Sequence, residues 1–300
     1  MDFDQFRSFV EVARLKNFSR AAGKLGLTQP AISTQIRQLE EAFGVRLFDR
    51  IGKKVFLTQP GIMLLDHASK ILNVEREAME ALRDLMPNPA GQLNLGATEA
   101  GCLYLLPKVF SVFKKRHPEV QISVYRNFTT KIVEKLMEDS VDLGFVSLPV
   151  SAREIETVPL FREPVDVAMA PNHPLASRPV VTVEEIARHP WIFPKASRTR
   201  VMLEELFRGA RPPVHVTMEL SGVETIKKFV GIGLGISLLS RSYATAEVKA
   251  GTLKLVPLAE PRLERQVGLA YRTDRYLSRS SQAFIEIAKR HFHKHNESEP

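Results

Sequence analysis

Five side chains downstream of Gly26, namely Gln29, Ser33, Thr34, Arg37 and Gln38, share one face of a helix-periodic segment. Short or forked hydrogen-bonding groups near a helix start suit a duplex, because they meet base edges in the major groove and hold phosphate oxygens. Thr28 is placed to cap that helix, Pro30 falls in its first turn where a missing amide costs little, and Ile32, Ile36 and Leu39 supply the opposite, apolar face. Ahead of it, Ser19 is expected to cap a shorter helix with Ala21, Ala22 and Leu25 on its apolar face and Gly26 at its end. Two capped helices joined by a tight turn outline a helix-turn-helix. After Phe43-Gly44, short apolar runs at 45–48 and 55–57 flank a basic turn of Arg50, Gly52, Lys53 and Lys54, as in a wing that carries cations to the DNA backbone. The candidate DNA-binding residues are therefore Ser19, Thr28, Gln29, Pro30, Ser33, Thr34, Arg37, Gln38, Arg50, Lys53 and Lys54. The competing explanation is an ordinary helical hairpin with its polar face in water, and the wing weighs against it.

The succession of Phe6, Phe9, Val12, Ala13, Phe18-Ser19, Ala21-Ala22, Leu25, Gln29-Pro30-Ala31, Ser33, Ile36, Leu39-Glu40, Gly44, Leu47-Phe48, Arg50 and Leu57-Thr58 resembles the N-terminal signature of LysR-type transcriptional regulators. Pro60 stands where that family usually has a small helix former, and a first helical turn tolerates it. Thr34 replaces a frequently basic residue. The resemblance implies a regulator that forms homo-oligomers, commonly tetramers. It also implies double-stranded promoter DNA, a small-molecule effector and RNA polymerase as partners.

A chain of 300 residues exceeds the usual single domain, so two or three units are expected. The formal net charge of +8 favours an anionic partner, and residues 1–58 hold ten Lys and Arg against six Asp and Glu. A single cysteine, Cys102, excludes an internal disulfide; no apolar run has the length of a membrane span, and the opening MDFDQF lacks a signal-peptide pattern. A cytoplasmic protein with no membrane partner is the expectation. A lone cysteine is more often a small buried hydrophobe than a redox sensor.

From residue 59 to about 86 the pattern is one long helix, opened by Thr58 and closed by Pro87 and Pro89. Leu65, Ala68, Leu72, Met79, Leu82 and Met86 fall on a coiled-coil seam interrupted by Glu75, which favours a homodimer over packing on the chain's own C-terminal half. Two reading heads on one duplex require an operator with approximate two-fold symmetry. Asn88, Pro89, Ala90 and Gly91 read as a hinge.

Beyond Gly91, strands at 92–97, 120–125 and 141–147 alternate with helices at 103–117 and 131–139. A second series starts near Val165, with strands at 191–194, 214–219 and 236–239 and helices after Ser197 and Gly222; a strand at 266–271 and a helix at 278–293 return to the first lobe. This duplication, with Leu106-Pro107, Phe113, His117-Pro118-Glu119, Val141-Asp142-Leu143-Gly144 and the glycines from Gly231 to Gly235 as spaced packing residues, resembles the effector domain of the same family. The expected architecture is α/β overall: a winged helix-turn-helix at 1–58, a linker and dimerisation helix with its hinge at 59–91, and a two-lobed domain at 92–300 similar to a type 2 periplasmic binding protein. Lobe 1 would take 92–162 and 268–300, and lobe 2 would take 163–267.

Ligands in open α/β sheets bind beyond the carboxyl ends of strands, where free amides can hold an anion. That rule selects Thr98, Glu99 and Ala100 after the first strand, Thr129 and Thr130 before the second helix, Ser147 after the third strand, and Ser197, Arg198 and Thr199 at a helix start in lobe 2. In the family the same loops supply inducer contacts. Taken singly, Thr130 and Ser197 are more simply helix caps. Arg126, Lys131, Lys195, Arg198 and Arg200 lie near these strand ends and point to a small anionic metabolite, with no cofactor expected.

The run from Gly231 to Gly235 is not a dinucleotide fingerprint, since it follows a helix and precedes a strand. His291, His293 and His295 around Phe292 lack an acidic or thiol partner and read as a solvated tail rather than a metal site. A solute-binding protein is disfavoured by the missing export signal, and an enzyme using Cys102 by the lack of an oriented base. The sequence therefore reads as a ligand-responsive transcription factor with no catalytic residues.

Overall fold

A computed structural model describes residues 1–51, 54–85, 91–209 and 213–296. The chain divides into two units, Met1–Met86 and Pro87–Pro300.

The first unit opens with α1 (Phe3–Leu15), set by a reciprocal capping box between Asp2 and Gln5. Then come α2 (Phe18–Leu25), α3 (Gln29–Phe43), the hairpin β1 (Phe48–Ile51) and β2 (Lys54–Leu57), and α4 (Gln59–Arg83). The cap of α2 is Asn17 rather than Ser19: the Asn17 side chain accepts from Arg20 N at 2.9 Å, while Ser19 is exposed in the first turn. Asn caps as well as Ser, and starting the helix at Phe18 delivers that ring to the core. Phe9, Val12, Ala21, Ile32, Leu39 and Leu47 form the buried centre. Phe48 packs on Phe9 at 5.4 Å and edge-on against Phe18 at 5.7 Å, which ties the hairpin to the helices.

The expected strand at 45–48 begins only at Phe48. Glu40 explains the offset, because its Oε1 accepts from Leu47 N at 2.7 Å and from Phe48 N at 3.3 Å and so holds this backbone against α3. β1 and β2 are antiparallel, with Phe48 opposite Leu57 and Ile51 opposite Lys54. Thr58 caps α4 by accepting from Gly61 N at 3.1 Å, and Pro60 fits the first turn as expected. A Cβ on Gly61 would lie 2.2 Å from Leu47 O, so only glycine lets the hairpin and α4 approach this closely.

Half of the α4 seam is already used within the unit. Leu65, Ala68 and Leu72 pack against the core, and Glu75 pairs with Arg7 at 2.6 Å. The small three-helix core uses these positions as part of its cover, with Ala68 buried and Leu65 and Leu72 partly so. The large apolar residues of α4 left in solvent are Ile62 and Met63 near its start and Ile71, Val74, Met79 and Leu82 further along, the last 62% exposed. Met86 and residues 88–90 of the expected seam and hinge lie outside the described residues.

In the second unit, lobe 1 contains β3 (Gly91–Ala97), a π turn (Gly101–Leu105) running into α5 (Leu106–Arg116), β4 (Val120–Arg126), α6 (Thr129–Met137) and β5 (Leu143–Leu148). A long strand, β6 (Ile155–Met169), then crosses into lobe 2. Lobe 2 holds α7 (Val183–Ala187), β7 (Trp191–Pro194), α8 (Arg198–Leu206), β8 (Val216–Leu220), α9 (Val223–Gly231), β9 (Ser237–Ser240), α10 (Arg241–Ala250) and β10 (Lys254–Val256). The chain returns through β11 (Glu264–Arg272) to α11 (Arg279–Asn296), which completes lobe 1.

Lobe 1 has strand order β4-β3-β5-β11-β6, with β3 parallel to β4 and β5 and β11 antiparallel to its neighbours. Lobe 2 repeats the plan. β7 and β8 are parallel, Ile192 N donates to Ile236 O and Ile236 N to Pro190 O, each at 2.8 Å, beside β9, and β9 and β10 flank the far half of β6. Strand β6 starts about ten residues before the expected second series, so the lobes are joined by a continuous strand rather than a loop. Helix α11 carries Phe284 and Phe292 into the lobe 1 core, with Phe292 stacked on Phe161 at 4.7 Å. The segment expected to be a solvated tail is thus helical to Asn296, and burying Phe292 is the reason.

Candidate nucleic-acid interface and effector cleft

Gly26 closes α2 in the left-handed conformation at φ 67°, and Leu27 N donates to Ala22 O at 2.9 Å, so the turn into α3 is tight. Thr28 caps α3 by accepting from Ala31 N at 3.3 Å. Because Ile32, Ile36 and Leu39 are buried, the face carrying Gln29, Pro30, Ser33, Thr34, Arg37 and Gln38 is turned outward, with Ser33 half-buried. Gln29 Nε2 donates to Ser33 Oγ at 2.8 Å, which pre-orders the first turn of this face. Arg37 stands 3.7 Å from Glu41, both largely exposed, a restraint that a phosphate can replace at little cost. Gln38 is partly committed, since its Oε1 accepts from Gln5 Nε2 at 3.0 Å; its amide protons remain the groups to offer.

Neighbouring Gln35 accepts from Ser8 Oγ and fixes α3 on α1. Sequence reading passed over this residue, and a polar group on the apolar side of the helix was the available signal. On the hairpin, Lys54 is exposed at the start of β2, and Arg50 lies within β1. The Arg50 side chain and Lys53 are outside the described residues. The positive end of the α3 dipole adds to the attraction for an anionic backbone.

The second site follows from strand direction. β4, β3 and β5 are adjacent and parallel, so the residues after them share one edge of lobe 1. Thr98 leaves β3, and its Oγ1 accepts from Gly101 N at 3.2 Å; Ala100 takes the cap position of the π turn. Thr129 and Thr130 are the first two residues of α6 rather than part of the loop before it, because Asn127 and Phe128 form the turn, with Asn127 Oδ1 accepting from Phe128 N at 2.9 Å. Ser147 lies inside β5, opposite Val267 of β11, not after the strand. In lobe 2, Ser197 caps α8 by accepting from Arg200 N at 3.2 Å, and Arg198 and Thr199 open that helix.

Glu99 makes a contact across the lobes at this edge. The Glu99 carboxylate lies against Gly222, its oxygens 3.1 and 3.5 Å from where a Cβ would sit, and Gly222 is the cap of α9 at φ 85°. Gly222 was expected only as a helix boundary; that it faces Glu99 had no local signal. Among the candidate cations, Lys131 pairs with Glu134 and Arg200 with Glu204 and Glu219, whereas Arg126, Lys195 and Arg198 have no acidic partner among the described residues. Burial pushes the Cys102 thiol up, Arg126 opposes the shift and Glu99 adds to it, so the sulfur behaves as a protonated, half-buried group packed on the lobe 1 core. Among the described residues no cluster of three His, Cys, Asp or Glu could hold a metal, and no helix is long and apolar enough to cross a membrane.

A winged helical unit with an outward polar face on α3, in one chain with a bilobed α/β unit whose polar loops meet at strand ends, fits a DNA-binding regulator with a small-molecule domain. The comparisons with known proteins agree. Residues 3–62 match the bacterial regulatory helix-turn-helix protein of the lysR family, and residues 87–293 match the LysR substrate binding domain. The chain belongs to the LysR family of transcriptional regulators. It is 32% identical to the HTH-type transcriptional activator CmpR of Synechocystis over 288 residues, spanning 96% of this chain and 94% of CmpR. Among solved structures it is similar to a full-length, singly substituted OxyR from Pseudomonas aeruginosa, with a TM-score of 0.76, 27% identity, and 96% and 95% of the two chains covered. The fold also matches CbnR in complex with its target DNA, at a TM-score of 0.70 and 21% identity over 97% of this chain and 99% of CbnR. These relatives are regulators rather than enzymes.

Proposed function

We propose that this regulator reads operator DNA with the outward face of α3 and that a small anionic metabolite, bound between the lobes of the second unit, changes the geometry of the reading heads and so controls transcription. Ser33, Thr34 and Arg37, with Thr28, Gln29, Pro30 and the Gln38 amide, meet the major groove; Arg50, Lys53 and Lys54 meet the backbone beside it. Ser19, one residue inside α2, offers its hydroxyl to phosphate. Val74, Met79 and Leu82 on α4 pair with a second copy. The dimer assembles further into a tetramer in the cytoplasm and works on RNA polymerase at the promoter. The division of labour is a reading head at 1–58, a pairing segment at 59–91 and an effector domain at 92–300.

The observation that carries the effector reading is the parallel run of β4, β3 and β5, after which Thr98, Glu99, Ala100, Thr129 and Thr130 follow at one edge, with Ser147 within β5 one residue before its last. Ser197, Arg198 and Thr199 supply the lobe 2 side. Arg126, Lys195 and Arg198 outnumber Glu99 among these groups, which favours a carboxylate or phosphate. Coupling to DNA requires only that the ligand bind two lobe settings with different affinity. The experiment is a thermal-shift screen of anionic metabolites, followed by operator binding with each hit. A hit raises the melting temperature of the second unit and changes DNA affinity or the length of the protected site. A ligand that stabilises the protein and leaves every DNA readout unchanged refutes the coupling.

A further inference from the structure

We propose that Tyr104 is a clasp between the two lobes, and that an effector at the neighbouring edge acts by tightening or releasing it; the second clause rests on the cleft reading above, the first does not. Tyr104 belongs to lobe 1 and sits on the π turn that begins one residue after Ala100. Its ring meets two groups from lobe 2. Lys227 Nζ of α9 is 4.7 Å from the ring centroid, and the ring of Tyr243 on α10 is stacked on it at 5.1 Å. Tyr243 in turn accepts a hydrogen bond from Arg265, whose guanidinium lies 4.5 Å from the Tyr243 ring. Arg265 on β11 pairs with Glu163 directly opposite on β6. Those are the two strands that run between the lobes. A continuous chain of contacts therefore leads from the loop Thr98–Ala100, through Tyr104 and Tyr243, to the strand pair about which the lobes would turn.

The balance at Tyr104 is what makes it a clasp rather than ordinary packing. Lys227 is only 4% exposed, and its ammonium is held by Glu224 at 2.8 Å, Glu247 at 2.6 Å and Tyr243 O at 2.9 Å. The Tyr104 ring face covers this buried cation, a favourable cation–π contact in a desolvated place. The Tyr104 hydroxyl, however, is buried with no hydrogen-bond partner among the described residues, and the same holds for Arg265 Nε, Ser242 Oγ and the second carboxylate oxygen of Glu247. Each such group opposes the arrangement, because its bonds to water have been given up without replacement. The ring contact favours this lobe setting and the stranded hydroxyl opposes it.

The test is amide hydrogen exchange on the full-length protein with Tyr104→Phe and Tyr104→Leu. Y104F keeps the ring and removes the stranded hydroxyl, so exchange in residues 223–231 and 241–250 is expected to stay the same or slow. Y104L removes the ring face, and exchange in those two segments is expected to rise about tenfold while α5 and α11 keep their protection. Should Y104L fail to fold by circular dichroism, Tyr104→Met keeps more of the side-chain volume without an aromatic face and is expected to give the same rise. Unchanged exchange of α9 and α10 in a folded Y104L or Y104M protein overturns the clasp, and so does Y104F behaving like Y104L. None of these readouts uses a ligand. Failure of the metabolite screen therefore bears on the cleft reading alone.

Discussion

Replacing Arg37 with Ala separates reading from folding. Among the described residues the Arg37 guanidinium pairs with Glu41 alone, at 3.7 Å, and the two side chains are 69% and 68% exposed. Such a pair contributes about 0.3–0.5 kcal/mol, and Ala is itself a slightly better helix former than Arg, so the stability change is at most about 0.5 kcal/mol. For a unit of this size that is about 2–4 °C in melting temperature. On DNA the expectation is far larger. A forked contact to a base edge is worth about 1–3 kcal/mol, or roughly five- to 150-fold in affinity for each head. If Arg37 instead holds a phosphate, the loss is spread over all sequences and the slope of log affinity against log salt falls by about one per head. Fluorescence anisotropy on a promoter fragment and a scrambled duplex, between about 50 and 200 mM salt, distinguishes the two contacts. A folded R37A protein with wild-type affinity and wild-type salt slope would remove Arg37 from the DNA interface, and the same result for Ser33→Ala as well would remove α3.

Three further outcomes follow from particular contacts. Leu82→Glu should shift sedimentation toward smaller species and leave the melting of the first unit nearly unchanged, whereas Leu72→Glu should cost roughly 2–4 kcal/mol of stability because Leu72 packs on the unit's own core; equal behaviour of the two would mean that α4 has no separate pairing face. Gly61→Ala places a Cβ 2.2 Å from Leu47 O, a backbone atom that cannot turn aside, and should cost about 1–3 kcal/mol by chemical denaturation while leaving the second unit's transition in place. His173 is held neutral by burial and then by the nearby His189, with its Nδ1 accepting from Leu175 N at 3.2 Å. Its pKa is lower folded than the unfolded value of about 6.5, so the unfolded chain binds the extra proton and the stability of lobe 2 should fall as pH drops below about 6.5. A urea midpoint that stays flat from pH 7 down to about 5.5, or one whose fall is untouched by His173→Phe, contradicts this.

Helix α3 was legible because its signals are local. Thr28, Pro30 and the apolar triple Ile32, Ile36 and Leu39 lie within one segment, and the helix they describe is α3 from Gln29. Errors began where two local signals competed. Asn17 and Ser19 both cap well, and the choice was made by Phe18, a residue that only the folded core requires. The α4 seam shows the same limit at larger scale. Its periodicity is real, yet Leu65, Ala68 and Leu72 are claimed by the winged unit before any partner arrives. A repeat of apolar residues states that a face will be covered; it does not state by what.

In the second unit the alternation of strands and helices was readable, but the elements that join the lobes were not. The first ten residues of β6 include Pro159, Pro164 and the charged Glu156, Arg162 and Glu163, a poor strand pattern, and they are extended because β11 pairs with them from Glu264 to Arg272. Helix α10 buries mainly Tyr243 and Ala244, and β10 has three residues, so neither offers a periodic run long enough to stand out. Those junctions decide which loops face each other. Glu99 meets Gly222, and Tyr104 meets Lys227 and Tyr243, across more than a hundred residues of chain. Each partner is ordinary in its own segment: a glycine at a helix start, a lysine on a helix, a tyrosine beside a serine. Strand ends could therefore be assigned to ligand binding one at a time, whereas the setting of one lobe on the other depends on pairings made only after β6 and β11 have joined the two sheets.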